Sequence, residues 1–251
     1  MEAALKKALR EKLVAMGDDE LILGHLNSEW CGHAPILEED IAFANIAQDE
    51  MGHAQLWYQL AHELGAEEPD RLVFFRNAGA YRNVRLVELP KGDWAFTMMR
   101  QYLFDALELA RAEPLVASGY RPLAEAAAKV RQEELYHYRH THTWIRRLAL
   151  GTAESRRRTQ QALDELWPHT AQLFAPLAGE ALLVTAGYLP DPEQLRRAWA
   201  ELVTPFLEES ELVVPEPAER ETAGREEHTA HLAGLLAEMQ EVAHLDAQAE
   251  W

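Results

Sequence analysis

One cysteine, Cys31, is the only thiol in this 251-residue chain. An internal disulfide and a thiolate cage for structural zinc are therefore both excluded, and Cys31 is expected to pack at a helix end. Glycine is spread thinly, with 13 in all, and forms neither a phosphate-cradling loop nor a dinucleotide fingerprint. No Gly-x-Ser-x-Gly elbow offers a serine nucleophile. Basic residues are also scarce: 24 against 42 acidic, for a net charge of −18. A field of that sign repels phosphate backbones and anionic lipid, so nucleic acid and membrane surfaces are excluded as partners. The run Arg156-Arg157-Arg158 reads as a solvated helix face. No apolar stretch approaches the roughly 20 residues of a membrane span, and the N-terminus lacks a signal core. These absences predict a soluble, cytoplasmic protein.

What the chain does have is apolar content, 48%, enough for a buried core, arranged with helical periodicity. Strand signals are few. The spacing predicts a first helix over Ala3 to Cys31, interrupted near Gly17-Asp18-Asp19, and a second over Ile36 to Leu64. Residues 65 to 92 read as loop, pinned by Leu72-Val73-Phe74-Phe75 and Val84-Arg85-Leu86-Val87. A third helix is expected over Trp94 to Ala117, a fourth over Pro122 to Leu150, and later ones near 155–175, 193–208 and 226–245. The expected architecture is a single all-α domain over residues 1–251, with core hairpins about 3–64 and 94–150 and additional C-terminal helices.

Inside that pattern Glu-x-x-His occurs three times: Glu50 to His53, Glu134 to His137, and Glu241 to His244. Glu and His at i, i+3 project from one helix face. A bundle with one such motif on each of two helices, and one carboxylate on each of the other two, builds a two-metal site. Helices rise about 1.5 Å per residue, so residues equidistant from a hairpin turn lie at equal height. The first hairpin should turn at Gly32-His33-Ala34-Pro35, and the midpoint of Glu20 and Glu50 is position 35. The second should turn at Ser118 to Pro122, and the midpoint of Asp105 and Glu134 is 119.5. Glu29 is the rival to Glu20, but its midpoint with Glu50, 39.5, falls inside the second helix. Glu108 is the rival to Asp105. The candidate metal ligands are thus Glu20, Glu50, His53, Asp105, Glu134 and His137. A bland reading stands beside this: Asp18 or Asp19 could cap a helix that begins at Glu20. Carboxylate and imidazole donors suit iron or manganese.

Several segments carry a family resemblance. Ser28-Glu29-Trp30-Cys31-Gly32-His33-Ala34-Pro35 and Asp40-Ile41-Ala42-Phe43-Ala44-Asn45-Ile46 resemble the C subunits of bacterial phenylacetyl-CoA epoxidases. So do Arg100-Gln101-Tyr102, Tyr136-His137, His228-Thr229-Ala230-His231-Leu232 and Leu236-Ala237-Glu238-Met239-Gln240. The resemblance covers nearly the whole chain. It implies a ferritin-like four-helix bundle and a place in a multicomponent oxygenase of phenylacetate catabolism. In that family a catalytic A subunit holds two iron ions and the C subunit is its structural, non-catalytic partner. A small subunit bridges the assembly, a flavin and iron–sulfur reductase supplies electrons, and the substrate is a CoA thioester. A homodimer of the isolated chain is a further expectation. C subunits often carry non-ligating residues at the ligand positions. Here Gln48-Asp49-Glu50-Met51-Gly52-His53 and Glu133-Glu134-Leu135-Tyr136-His137 are similar to the intact motifs of the catalytic paralogue. Glu20 and Asp105 fall where that paralogue's remaining carboxylates would align. A catalytic di-iron oxygenase or oxidase is therefore the alternative reading.

Overall fold

The computed structural model describes residues 1–216 and 224–247, and no strand occurs among them. Four long helices form the core: α1 (Ala3–Ser28) and α2 (Leu37–Glu63) make one antiparallel hairpin. Between them and the second hairpin lie two short helices, α3 (Pro69–Phe74) and α4 (Arg85–Glu88). The second hairpin is α5 (Trp94–Val116) and α6 (Arg121–Ala149). The four expected long helices are all present, each within three residues of its expected ends. Gly32 adopts φ +76° in the first turn, a conformation that favours glycine. Cys31 lies in that turn and is exposed rather than packed.

The expected break at Gly17-Asp18-Asp19 is absent; α1 runs through it. Its cause is tertiary. A Cβ at Gly17 would lie 2.7 Å from Tyr58 Cε1, so only glycine lets α2 approach this closely. Asp18 does not cap a helix; it accepts from Tyr58 Oη at 2.6 Å, from the backbone N of Arg82 at 2.8 Å and from the Arg76 guanidinium. Asp19 accepts from the backbone N of Val84 at 2.7 Å and from Arg225 Nη1 at 2.9 Å. Both acids are fully buried, and a buried carboxylate must be paired in this way.

Side-chain register sets the topology. Trp30 Nε1 donates to Thr97 Oγ1 while Asn27 Nδ2 donates to Gln101 Oε1, so α1 and α5 are antiparallel. His53 meets Glu133 and His137 meets Asp49, so α2 and α6 are antiparallel as well. It follows that α2 and α5 run parallel, and consecutive parallel helices need a long crossover. Residues 64–93 supply it. Leu72, Leu86 and Val87 anchor the crossover as buried residues, but the segments expected as loop coil into α3, a 3-10 turn at Ala78–Ala80, and α4. The up-down-down-up arrangement is a ferritin-like four-helix bundle.

The bundle is amphipathic in detail. Along α6 the buried positions are Leu123, Ala126, Ala127, Val130, Glu134, His137, Thr141, Ile145 and Ala149, a stripe of three-and-four spacing. At one end Trp30, Trp94 and Trp144 meet edge to face, with centroids 4.9 and 5.6 Å apart, and Phe43 joins them at 5.3 Å. These rings together close that end. Trp57, by contrast, is buried nearer the other end, among Leu9, Leu13 and Ala127.

The C-terminal additions are α7 (Ala153–Leu166), α8 (Glu180–Thr185), α9 (Pro192–Glu209) and α10 (Ala230–Leu245). The helix expected through 175 changes to 3-10 at Trp167, since Pro168 cannot continue the α hydrogen-bond ladder. Arg156, Arg157 and Arg158 are exposed and pair with Glu211, Glu154 and Asp93. No described helix is long and apolar enough to cross a membrane.

Candidate metal centre

All six candidate ligands, four placed by the hairpin arithmetic and two by the motifs, converge. One donor atom each from Glu20, Glu50, His53 and Glu134 lies within 4.8 Å of the others, and so does one each from Glu50, Asp105 and His137. α1 contributes Glu20, α2 Glu50 and His53, α5 Asp105, and α6 Glu134 and His137. Every one of these side chains is buried. Neither rival enters the cluster. Glu29 lies beyond the end of α1, exposed, beside Lys91. Glu108 is buried next to the cluster, where it is bound to Arg111. The third motif is on the exposed face of α10: Glu241 and His244 both face solvent.

The histidines have a common orientation. His53 Nδ1 points inward, 3.1 Å from Glu134 Oε1 and 3.8 Å from Glu20 Oε2. Its Nε2 lies 2.8 Å from Glu133 Oε2. His137 mirrors this: Nδ1 is 3.5 Å from Glu50 Oε1, and Nε2 is 3.2 Å from Asp49 Oδ2. A carboxylate on the outer nitrogen fixes the tautomer, so the neutral ring offers its Nδ1 lone pair to the interior. The support is reciprocal, since the residue before Glu134 on α6 holds the histidine of α2, and the residue before Glu50 on α2 holds that of α6. Asp49 and Glu133 stand directly beside the motifs in the sequence. Their role could be read there only if the two helices were already known to be facing and antiparallel.

Several ligand atoms have no hydrogen-bond partner outside the cluster. Both oxygens of Glu20, both of Glu134, Glu50 Oε2, and the Nδ1 atoms of His53 and His137 are buried and unpaired. Buried polar atoms without outside partners are rare, and seven gathered in one cluster call for something between them. A divalent cation fits this donor set, with oxygen and imidazole ligands and no thiolate. Without one, protons must balance the charge. Burial, and then the charge of Glu50, push the Glu20 carboxyl up to about 8. Burial, reinforced by Glu134, holds Asp105 well above the usual carboxylate range. Burial opposes the His53 imidazolium, but Glu134 and Glu20 outweigh it and raise its pKa.

Behind the cluster stands a polar layer that sequence periodicity does not single out. Gln101 Nε2 donates to Glu50 Oε1 at 2.7 Å and to Asp105 Oδ1 at 2.6 Å. Asn27 Nδ2 donates to Gln101 Oε1, and Thr141 Oγ1 donates to Asp105 Oδ2 at 2.7 Å. On the far side of Glu108, buried Arg111 is followed by Lys12, which donates to Glu180 Oε1 at 2.9 Å. These cations, with Arg225 and Arg76, offset part of the interior negative charge.

Known proteins place this geometry in context. Residues 1–251 match the family described as Phenylacetic acid catabolic protein. The chain is 39% identical over 238 residues to the C subunit of 1,2-phenylacetyl-CoA epoxidase from Escherichia coli (strain K12), covering 94% of this chain and 96% of that protein. It is also 24% identical over 176 residues to the A subunit of the same organism's epoxidase, covering 70% of this chain and 57% of that relative. A buried four-carboxylate, two-histidine cluster in an up-down-down-up bundle, and a match from the first residue to the last, give one conclusion: the chain belongs to the phenylacetic acid catabolic protein family.

Proposed function

We propose that this protein is a component of a phenylacetyl-CoA ring epoxidase of aerobic phenylacetate degradation, the helical partner of a catalytic paralogue of similar fold. The observation that carries this is the end-to-end similarity to the epoxidase's C subunit, against a shorter and weaker similarity to its A subunit. On this reading a small bridging protein and a flavin and iron–sulfur reductase complete the assembly. Co-expression with the paralogue tests it. The two chains should elute together in size-exclusion chromatography at micromolar concentration, and omitting this chain should abolish or sharply lower turnover of phenylacetyl-CoA. Separate elution with undiminished turnover refutes it.

A second reading, that this chain is itself a di-iron oxygenase or oxidase, is favoured by one specific observation: the complete ligand set. Glu20, Glu50, His53, Asp105, Glu134 and His137 would hold the metal. When bound, two iron ions would supply the redox equivalents and Lewis acidity that dioxygen reduction requires. The chain's own part is positional. Asp49 and Glu133 hold the imidazoles in one tautomer, Thr141 fixes the rotamer of Asp105, and the closely packed bundle excludes water. Asp49 and Glu133 are half exposed, with side chains 37% and 39% accessible, and they are the groups through which protons could pass between the imidazoles and solvent.

A further inference from the structure

The cluster is lopsided. Around Glu20, His53 and Glu134 the ligand atoms face only one another: both oxygens of each glutamate and the Nδ1 of His53 take no hydrogen bond from a group outside the cluster. Around Asp105 the opposite holds. Asp105 Oδ1 takes a hydrogen bond from Gln101 Nε2 at 2.6 Å and Oδ2 takes one from Thr141 Oγ1 at 2.7 Å. Glu50 is divided between the halves: Oε1 accepts from Gln101 at 2.7 Å, while Oε2 is free. The Gln101 amide nitrogen thus lies between Glu50 and Asp105, two of the residues that would hold a second cation.

The amide cannot readily turn away. Its oxygen accepts from Asn27 Nδ2 at 2.7 Å, and both side chains are buried, Gln101 at 0% and Asn27 at 1% exposure. A primary amide has two N–H groups, and here one goes to each carboxylate. Rotated by half a turn, it would set its oxygen against two acidic oxygens. A cation entering beside Asp105 must displace two short hydrogen bonds and leave a buried donor without a partner. A cation entering beside Glu20 displaces only the protons that these ligands share among themselves.

Resting on the reading of this cluster as a metal centre, we propose that the protein has two unequal metal positions. The Glu20–Glu50–His53–Glu134 position is the tight one, and Gln101 keeps the Glu50–Asp105–His137 position weak or empty. The chain then carries a single ion where a paired centre would need two. A lone ion cross-links α1, α2 and α6 and stiffens the bundle, but it has no neighbour with which to share a two-electron step. The metal-holding and non-catalytic characters of the chain are thereby reconciled by one amide.

Mn(II) titration of the chelator-stripped, full-length protein tests this, read by bound-metal stoichiometry and by electron paramagnetic resonance. The wild type should bind one equivalent tightly, with the six-line signal of an isolated ion, and any second equivalent about a hundredfold or more weaker. Gln101→Met, which keeps volume and removes the donors, should bring the second equivalent into the same range and give the broadened signal of a coupled pair. Glu20→Ala should lose the tight equivalent. Two equivalents of similar affinity in the wild type would overturn the inequality and leave the metal centre standing. No binding in the wild type would overturn the metal centre itself, and the inequality with it. The wild-type stoichiometry decides the inequality even if a variant fails to fold, and a second equivalent that stays weak in folded Gln101→Met would overturn the role of the amide.

Discussion

Glu20 illustrates what burial does to one side chain. With its carboxyl pushed up to about 8 from 4.5, the folded, metal-free protein retains a proton that the unfolded chain releases. Linkage then makes stability fall as pH rises between those two values. His53 acts in the same direction: its raised pKa contributes stability that is full below the unfolded value and lost as pH climbs through the folded one. The melting temperature of the chelator-stripped protein should therefore drop steadily from about pH 5 to pH 9, by the equivalent of a few kcal/mol. Glu20→Gln should flatten the slope, and a divalent cation should restore stability at the alkaline end by binding only the folded form. A melting temperature that rises over this interval would contradict the assignment.

At the scale of elements, the distance between α1 and α2 is set by glycine. A Cβ at Gly24 would stand 2.9 Å from Glu50 Cβ and 3.1 Å from the carbonyl oxygen of Ala47. The second obstacle is backbone and cannot rotate aside. Gly24→Ala should therefore destabilise the protein by about 1–3 kcal/mol, although alanine is the better helix former by about 1 kcal/mol. Because Glu50 is the nearest neighbour, the variant should also weaken divalent-cation uptake. Unchanged thermal unfolding together with unchanged uptake would show that the helices can part without loss. The four long helices and the heights of their acids were legible in the sequence because both follow from a fixed rise per residue and the position of two turns. The continuity of α1 was not. Gly17-Asp18-Asp19 reads locally as a helix start, and the partners that override this, Tyr58, Arg76, Val84 and Arg225, are 40 or more residues away. Gln101 was hidden for the same reason, since nothing along α5 marks an amide that Asn27 of another helix locks in place.

Across the whole molecule, buried ion pairs tie the later chain to the first helix. Arg225, 2% exposed, reaches Asp19 across 206 residues of sequence and also donates to the carbonyl oxygen of Arg82 at 2.9 Å. His228 stands next to it, 2.9 Å from Glu88. Removing one partner of such a pair strands the other in a dry interior, at a cost of about 3–5 kcal/mol. Arg225→Ala should show that loss in denaturant unfolding, and α10 should become susceptible to limited proteolysis before the core does. If the variant melts like the parent and α10 stays protected, the pair contributes nothing to docking.

The indole cluster has an optical consequence. Trp30, Trp94 and Trp144 are three of the seven tryptophans, and their rings cross at 81° and 85° in direct contact. Rings held rigidly in such an asymmetric setting acquire near-ultraviolet circular dichroism, and this contribution exists only while α1, α5 and α6 are gathered at this end. Far-ultraviolet ellipticity reports helix wherever it forms. The bundle carries, in its own aromatic residues, a gauge that distinguishes loss of tertiary packing from loss of helix.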